Sequence, residues 1–177
     1  MTDTNNEADG ILRARAKALA VPTRQSMPAG ATLELLEFKL ASERYALETR
    51  HVQDVHPLRD LTPLPGTPAF ILGIVNVRGR ILPVLDLKKF FDLPERGLTD
   101  LHRIILVQGN DLEFGLLADV IVGVRSVMAD SLQPSLPTLT GIRAEYLKGI
   151  GAERLVVLEV DRILADPKII VHQEVES

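Results

Sequence analysis

The stretch Gly73 to Leu87, GIVNVRGRILPVLDL, decides the fold. It contains two apolar runs rich in Ile, Val and Leu that meet at Asn76-Val77-Arg78-Gly79. Such runs read as strands. Gly79 permits the tight turn between them, because it lacks the Cβ that closes much of backbone space to other residues. The stretch is therefore expected to be a hairpin that presents Arg78, with its five guanidinium donors, beside the turn. Spacing alone fits a solvated hairpin arginine as well as one that meets a partner, since exposed arginines rarely need one. Pro83 lacks a ladder donor, which predicts an edge position or a local irregularity for the second strand.

Working outward, Leu33–Leu40, Tyr45–Leu47, Val52–Val55, Ile71–Val77, Ile81–Leu87, Ile104–Gln108, Leu112–Leu117, Val120–Met128 and Leu155–Val160 are short apolar or alternating runs separated by turn signals. They predict strands. Ala41-Ser42-Glu43-Arg44 and Gly109-Asn110-Asp111 are the expected hairpin connectors, the second with residues that tolerate positive φ. Short helices are expected after Asp86 (LKKFF) and after Asp161 (RILA). Asp86 and Glu159 stand at equivalent strand ends and are read as N-caps of these helices, Glu being the poorer cap.

An internal echo organises the chain. Phe38-Lys39-Leu40, turn, Tyr45-Ala46-Leu47, then Val52-Gln53-Asp54-Val55 is mirrored by Leu106-Val107, turn, Phe114-Gly115-Leu116, then Val120 to Val124. Each half continues with a Pro-rich loop, Leu61 to Pro68 or Leu132 to Pro137, then Gly73-Ile74 or Gly149-Ile150. Each closes on Val84-Leu85-Asp86-Leu87 or Val157-Leu158-Glu159-Val160. The halves read as two related β-subdomains, although the second has no counterpart of Asn76-Val77-Arg78.

Composition narrows the function. The 177 residues are 46% hydrophobic with five Phe, two Tyr, no Trp and no Cys, so the core is expected to be mostly aliphatic and a disulfide framework or thiolate site is excluded. Mean hydropathy is +0.13, yet apolar runs such as Ala69 to Val75 fall far short of the ~18 residues of a spanning helix. Insertion into a membrane is not expected. The N-terminus lacks the basic n-region of a signal peptide, which makes the cytoplasm the expected location. A net charge of −4 and few aromatics disfavour nucleic acid. Residues 1–30 read as a tail, with a short basic amphipathic helix in Ile11 to Ala20 (ILRARAKALA) and a Pro- and Gly-containing linker, ahead of one domain over 31–172.

No constellation of catalytic residues emerges. His51, His56, His102 and His172 lie singly, without the i, i+4 spacing of a helical zinc pair. No serine has a G-x-S-x-G setting, and no glycine cluster has Walker or Rossmann context. No enzyme activity, cofactor or metal site is expected. A small-molecule-binding or enzymatic barrel would need a convergent polar cluster that the sequence does not supply, so the chain reads as a binding module.

Gly73-x-x-Asn76-x-Arg78-Gly79, then Pro83-Val84-x-Asp86-Leu87, with Thr67-Pro68-Ala69-Phe70-Ile71 upstream and Glu145-Tyr146-Leu147-x-Gly149-x-Gly151 downstream, resembles the CheW family of bacterial chemotaxis coupling proteins. The match runs in order from about Leu33 to Ala165. The resemblance implies an all-β fold of two five-stranded, SH3-like β-barrel subdomains, intertwined, with short helices and no catalytic centre. It implies an adaptor that joins a chemoreceptor's cytoplasmic hairpin tip to the regulatory domain of the histidine kinase CheA and is recruited to receptor arrays. A related role in a non-motility pathway such as surface sensing or pilus control is the alternative. Arg78 matches the family arginine of receptor and kinase coupling, and Val52 and Asp54 match a partner-contacting strand. Asn76, Val77 and Gly79 complete the expected partner-binding set. An adaptor of this kind needs an apolar groove for a helical tip and a charged rim, with Arg78 expected to meet a receptor carboxylate and Asp54 a basic kinase residue. Val52 and Val55 fall on opposite faces of a regular strand, so one of them is expected to need a cover outside the barrel.

Overall fold

The computed structural model describes residues 30–94, 97, 101–134 and 142–170. Two mixed five-stranded sheets carry the fold. The strands are β1 (Thr32–Leu40), β2 (Glu43–Glu48), β3 (Val52–Pro57), β4 (Ile71–Val77), β5 (Arg80–Leu85), β6 (Arg103–Gly109), β7 (Leu112–Ala118), β8 (Val120–Met128), β9 (Leu147–Ile150) and β10 (Val156–Leu158). Short helices α1 (Leu87–Phe90), α2 (Val160–Leu164) and α3 (Pro167–Ile170) follow β5 and β10. The expected strands are present, and β9 joins them. It escaped notice because LKGI is too short to show a period. The N-terminal helix expected in Ile11 to Ala20 lies outside the described residues.

The sheet orders are β8-β1-β2-β10-β9 and β3-β6-β7-β5-β4. Replacing each strand of one half by its counterpart in the other, β1 by β6 through β5 by β10, converts the first order into the second. The internal echo is thus real, but a half is not a subdomain. Each sheet takes a hairpin from one half and three strands from the other. The exchange occurs because β3 and β8 leave their own hairpins and pair with β6 and β1 of the opposite half.

The sheets are open at β3 and β4, and at β8 and β9, rather than closed into barrels. The Pro-rich loops partly cover two of these edges. Thr62 exchanges both backbone bonds with Ile74 of β4, at 2.9 and 2.8 Å, and Gln133 does the same with Ile150 of β9. Gly73 and Gly149 allow the loops to come this close, since a Cβ on Gly73 would lie 2.2 Å from the Thr62 carbonyl oxygen and one on Gly149 2.9 Å from Leu132 Cβ. The same contacts explain Pro83. It lies in β5, an interior strand, opposite Ile74. Because Ile74 turns its N–H and C=O toward Thr62, Ile74 and Pro83 form a pair without ladder bonds, and pairing of β5 with β7 starts only at Val84. The missing donor therefore sits where β4 asks for none.

The described residues form three apolar clusters. Val75, Val77, Leu82, Val84, Ile104 and Leu106 pack on one face of the β3–β4 sheet, and Leu33, Leu35, Ala46, Leu155 and Val157 on one face of the other. Much the largest lies between the sheets, where Phe38, Tyr45, Leu85, Ile105, Phe114 and Leu116 meet α1 and α2. Strands β1 and β6 are buried on both faces, so Ile104-Ile105-Leu106-Val107 shows no alternation.

At the β5–α1 junction Asp86 caps the helix as expected, accepting from the Lys88 N–H at 2.9 Å. Glu159 makes no such side-chain bond. Lys88 itself is buried, with a side chain 3% exposed, and places its ammonium 2.5 Å from Asp119 Oδ1 between β7 and β8. His102 Nε2 and the Ala41 N–H approach the same carboxylate at 2.9 and 2.7 Å. Burial alone would raise the Asp119 pKa. The Lys88 and Ala41 hydrogen bonds and the charges of Lys88 and His102 outweigh it and hold the carboxyl below its ordinary 3.8. Glu48 is likewise pushed up by burial but held below 4.5 by Lys148 and Arg50. Both carboxyls bind protons more weakly folded than unfolded, so their stabilisation is complete above the ordinary carboxylate range and lost as pH falls through the depressed native values. The urea midpoint should hold down to about pH 5 and decline below about pH 4. Asp119→Asn, which strips a buried ammonium of its counter-charge, should cost about 3 kcal/mol at neutral pH and flatten the acid limb.

Candidate functional site

The β4–β5 hairpin turns through Arg78 and Gly79, between paired Val77 and Arg80. Both residues have positive φ, 53° and 83°, the signature of a type I′ turn. Asn76 Oδ1 accepts the Gly79 N–H at 2.9 Å and pins the turn. Arg78, whose side chain is 75% exposed, reaches across to the opposite edge of the sheet, where its guanidinium lies 3.2 Å from Asp54 Oδ2 on β3. His56 Nε2 is 3.0 Å from the same oxygen, and the Val55 N–H donates to Asp54 Oδ1 at 2.8 Å. The Val55 N–H is the main cause that lowers the Asp54 pKa, followed by the charges of His56 and Arg78. Arg78 and Asp54, expected to meet separate partners, face each other in the free protein.

The other expected residues take distinct places. Val77 is buried in the cluster on its sheet face, while Asn76 and Gly79 shape the turn. Val52 is half-buried against the central core, and so is Val55, contrary to the alternation of a regular strand. The cause is a bulge. Val52 pairs with Val107 and Asp54 with the adjacent Leu106, which leaves Gln53 as an extra residue and brings Val52 and Val55 to one face.

A counterpart to this site exists in the other sheet, hidden from sequence comparison by reversed charge. Glu153 and Arg154 form a turn with φ of 57° and 59°. Glu153 Oε2 lies 2.6 Å from Arg44 and 3.8 Å from Arg125 on edge strand β8. That strand bulges as β3 does. Sequence reasoning also missed the apolar exposure of β8. Val120, Val122, Val124 and Met128 all lie open to solvent, with Val124 at 64%. Burial alternates along β8, but VIVGVRSVM does not alternate in hydropathy, so the chain does not tell which face stays uncovered. Among the described residues no helix is long and apolar enough to cross a membrane.

Two intertwined open sheets with exposed edge strands, one bearing a pinned arginine turn, define a β scaffold that offers surfaces to other proteins. Residues 34–168 match the model of the CheW-like domain, and the chain belongs to the CheW family of chemotaxis scaffold and adaptor proteins. It is 29% identical over 143 residues to the chemotaxis protein CheW of Treponema pallidum, covering 77% of this chain and 84% of that one. Protein FrzA of Myxococcus xanthus is 34% identical over 118 residues, covering 66% and 72%. The crystal structure of the scaffolding protein TtCheW from Thermoanaerobacter tengcongensis matches with a TM-score of 0.70 at 30% identity, covering 81% of this chain and 95% of that one. The family is non-catalytic.

Proposed function

We propose that this protein couples a chemoreceptor's cytoplasmic hairpin tip to the regulatory domain of the histidine kinase CheA, in the cytoplasm at receptor arrays. The observation that carries this reading is the Arg78 turn, an exposed guanidinium held in a fixed backbone conformation beside edge strand β3, on a chain of the CheW family. Arginine is enriched at interface hot spots, and a pinned turn reduces the ordering cost of binding. Val52, Asp54, Asn76 and Gly79 surround or shape that contact, and Val77 supports it from the core. The exposed valines of β8 supply a second, separate apolar surface, as an adaptor with two partners requires. The domain spans 31–172, behind the tail of residues 1–30.

The test is reconstitution of a ternary complex from the full chain, a receptor cytoplasmic fragment and the kinase, read by co-sedimentation and kinase activity. Co-sedimentation of all three with altered kinase activity is expected. Failure of the full chain to bring kinase and receptor together defeats the proposal. A second reading, an adaptor of the same design in a non-motility pathway, draws support from the similarity to FrzA and to protein PilI of Pseudomonas aeruginosa, 27% identical over 138 residues. Gene neighbourhood separates the two.

A further inference from the structure

His51 is the end of the 3₁₀ turn Thr49–His51, where the chain leaves β2 for β3 and so crosses from one sheet to the other. Its side chain is 8% exposed. Nδ1 lies 3.2 Å from the Gln108 carbonyl, an outer-shell bond that fixes a ligating imidazole and leaves the Nε2 lone pair free. Nε2 is buried and has no hydrogen-bond partner among the described residues. The ring stands at the β10–α2 junction, where one ligand atom each of His51, Glu159 and Asp161 lie within 4.8 Å of one another. Nε2 and Asp161 Oδ2 are 3.8 Å apart. That is too long for a hydrogen bond, yet one ion with bonds of about 2.0 Å to each spans it.

Charge and the internal echo point the same way. Lys148 lies 3.7 Å from Glu159, and Arg50 acts on both carboxylates, but each of these cations is also bonded to Glu48. Three carboxylates thus share two cations. At the corresponding crossover, between β7 and β8, Asp119 is tied to Lys88, and Lys88 is the counterpart of Asp161 when Val84 to Lys88 is aligned with Val157 to Asp161. One crossover is closed by an ammonium from the chain, whereas the other presents an imidazole and two carboxylates whose neighbouring cations among the described residues, Lys148 and Arg50, are shared with Glu48.

We propose that His51, Glu159 and Asp161 bind a divalent transition-metal cation of the zinc type, which clips the two sheets together at this crossover. A nitrogen and two carboxylates form a three-ligand set for such an ion, with water completing its coordination. The half-exposed Asp161 gives the ion a path from solvent. Histidine spacing gave no hint of the set because its members come from opposite ends of the domain.

The test is calorimetric titration of the full chain with Zn²⁺ in a non-chelating buffer, with melting curves in parallel. One ion per chain is expected, with a rise in Tm that Mg²⁺ does not reproduce. Asp161→Asn, at a partly exposed position that should tolerate it, should weaken Zn²⁺ binding at least about tenfold. His51→Gln should abolish it, and His56→Gln and His172→Gln should leave it unchanged. Absence of Zn²⁺ uptake by the full chain at tens of micromolar, or stoichiometric uptake that Asp161→Asn and Glu159→Gln leave intact, overturns the assignment.

Discussion

Among the described glycines Gly73→Ala is expected to be the most damaging substitution, with a loss above about 4 kcal/mol that leaves little folded material at ordinary temperature. Two costs act together. The residue has φ +150°, which side chains avoid, and the new Cβ would sit 2.2 Å from the Thr62 carbonyl oxygen and 2.9 Å from Pro63 Cα. These are backbone atoms of a loop bonded to β4 on both sides of the contact, so they cannot swing away as a side-chain end would. Gly149→Ala, the counterpart, meets Leu132 Cβ at 2.9 Å and the Gln133 oxygen at 3.1 Å. It should cost about 2 kcal/mol. Gly79→Ala has positive φ but open space around it, and should lose only about 1 kcal/mol. Urea unfolding of the three variants gives the ranking. A Gly73→Ala protein as stable as Gly79→Ala would refute the close approach of loop and strand.

Arg78→Glu is expected to abolish coupling while sparing the fold. The side chain is exposed and its pair with Asp54 lies at the surface, so Tm should move little. Binding should fall at least about thirtyfold, the loss set by a hot-spot residue worth about 2 kcal/mol. Because the variant also sets two carboxylates against each other, the swap Arg78→Glu with Asp54→Arg separates two causes. The swap restores the internal pair with reversed sign. If the guanidinium touches the partner directly, the swapped protein stays uncoupled; recovery would mean that Arg78 serves only to brace β3. Unchanged ternary complex and kinase activity in Arg78→Glu would remove this residue from the site altogether.

Much of this site could be read in advance. Asn76 through Gly79 carries its turn chemistry locally, and the structure places Arg78 at positive φ beside Gly79. The contact of Arg78 with Asp54 could not be read, because it depends on the sheet bringing its two edges together. That Val52 and Val55 share a side is likewise decided outside their own strand. A bulge is chosen by the pairing strand, here Val107 and Leu106, and leaves no mark on the period of β3 itself. The Glu153 turn bears no residue likeness to the Arg78 turn, because the two share positive φ but carry opposite charge.

The sequence by itself determined nine of the ten strands, the turns of the β1–β2, β4–β5 and β6–β7 hairpins, the duplication and the absence of a long apolar span, since each is written in the order of residues along the chain. Hairpins β1–β2 and β6–β7 are short-range objects of this sort. Only the tertiary structure decided which hairpin joins which three strands. Either half could in principle complete its own sheet; the exchange follows from long-range pairing of β3 with β6 and of β8 with β1, backed by the large core between the sheets. The same pairing carries His51 from one sheet to the other and brings it beside Glu159 and Asp161, an arrangement to which no local pattern in the chain is sensitive.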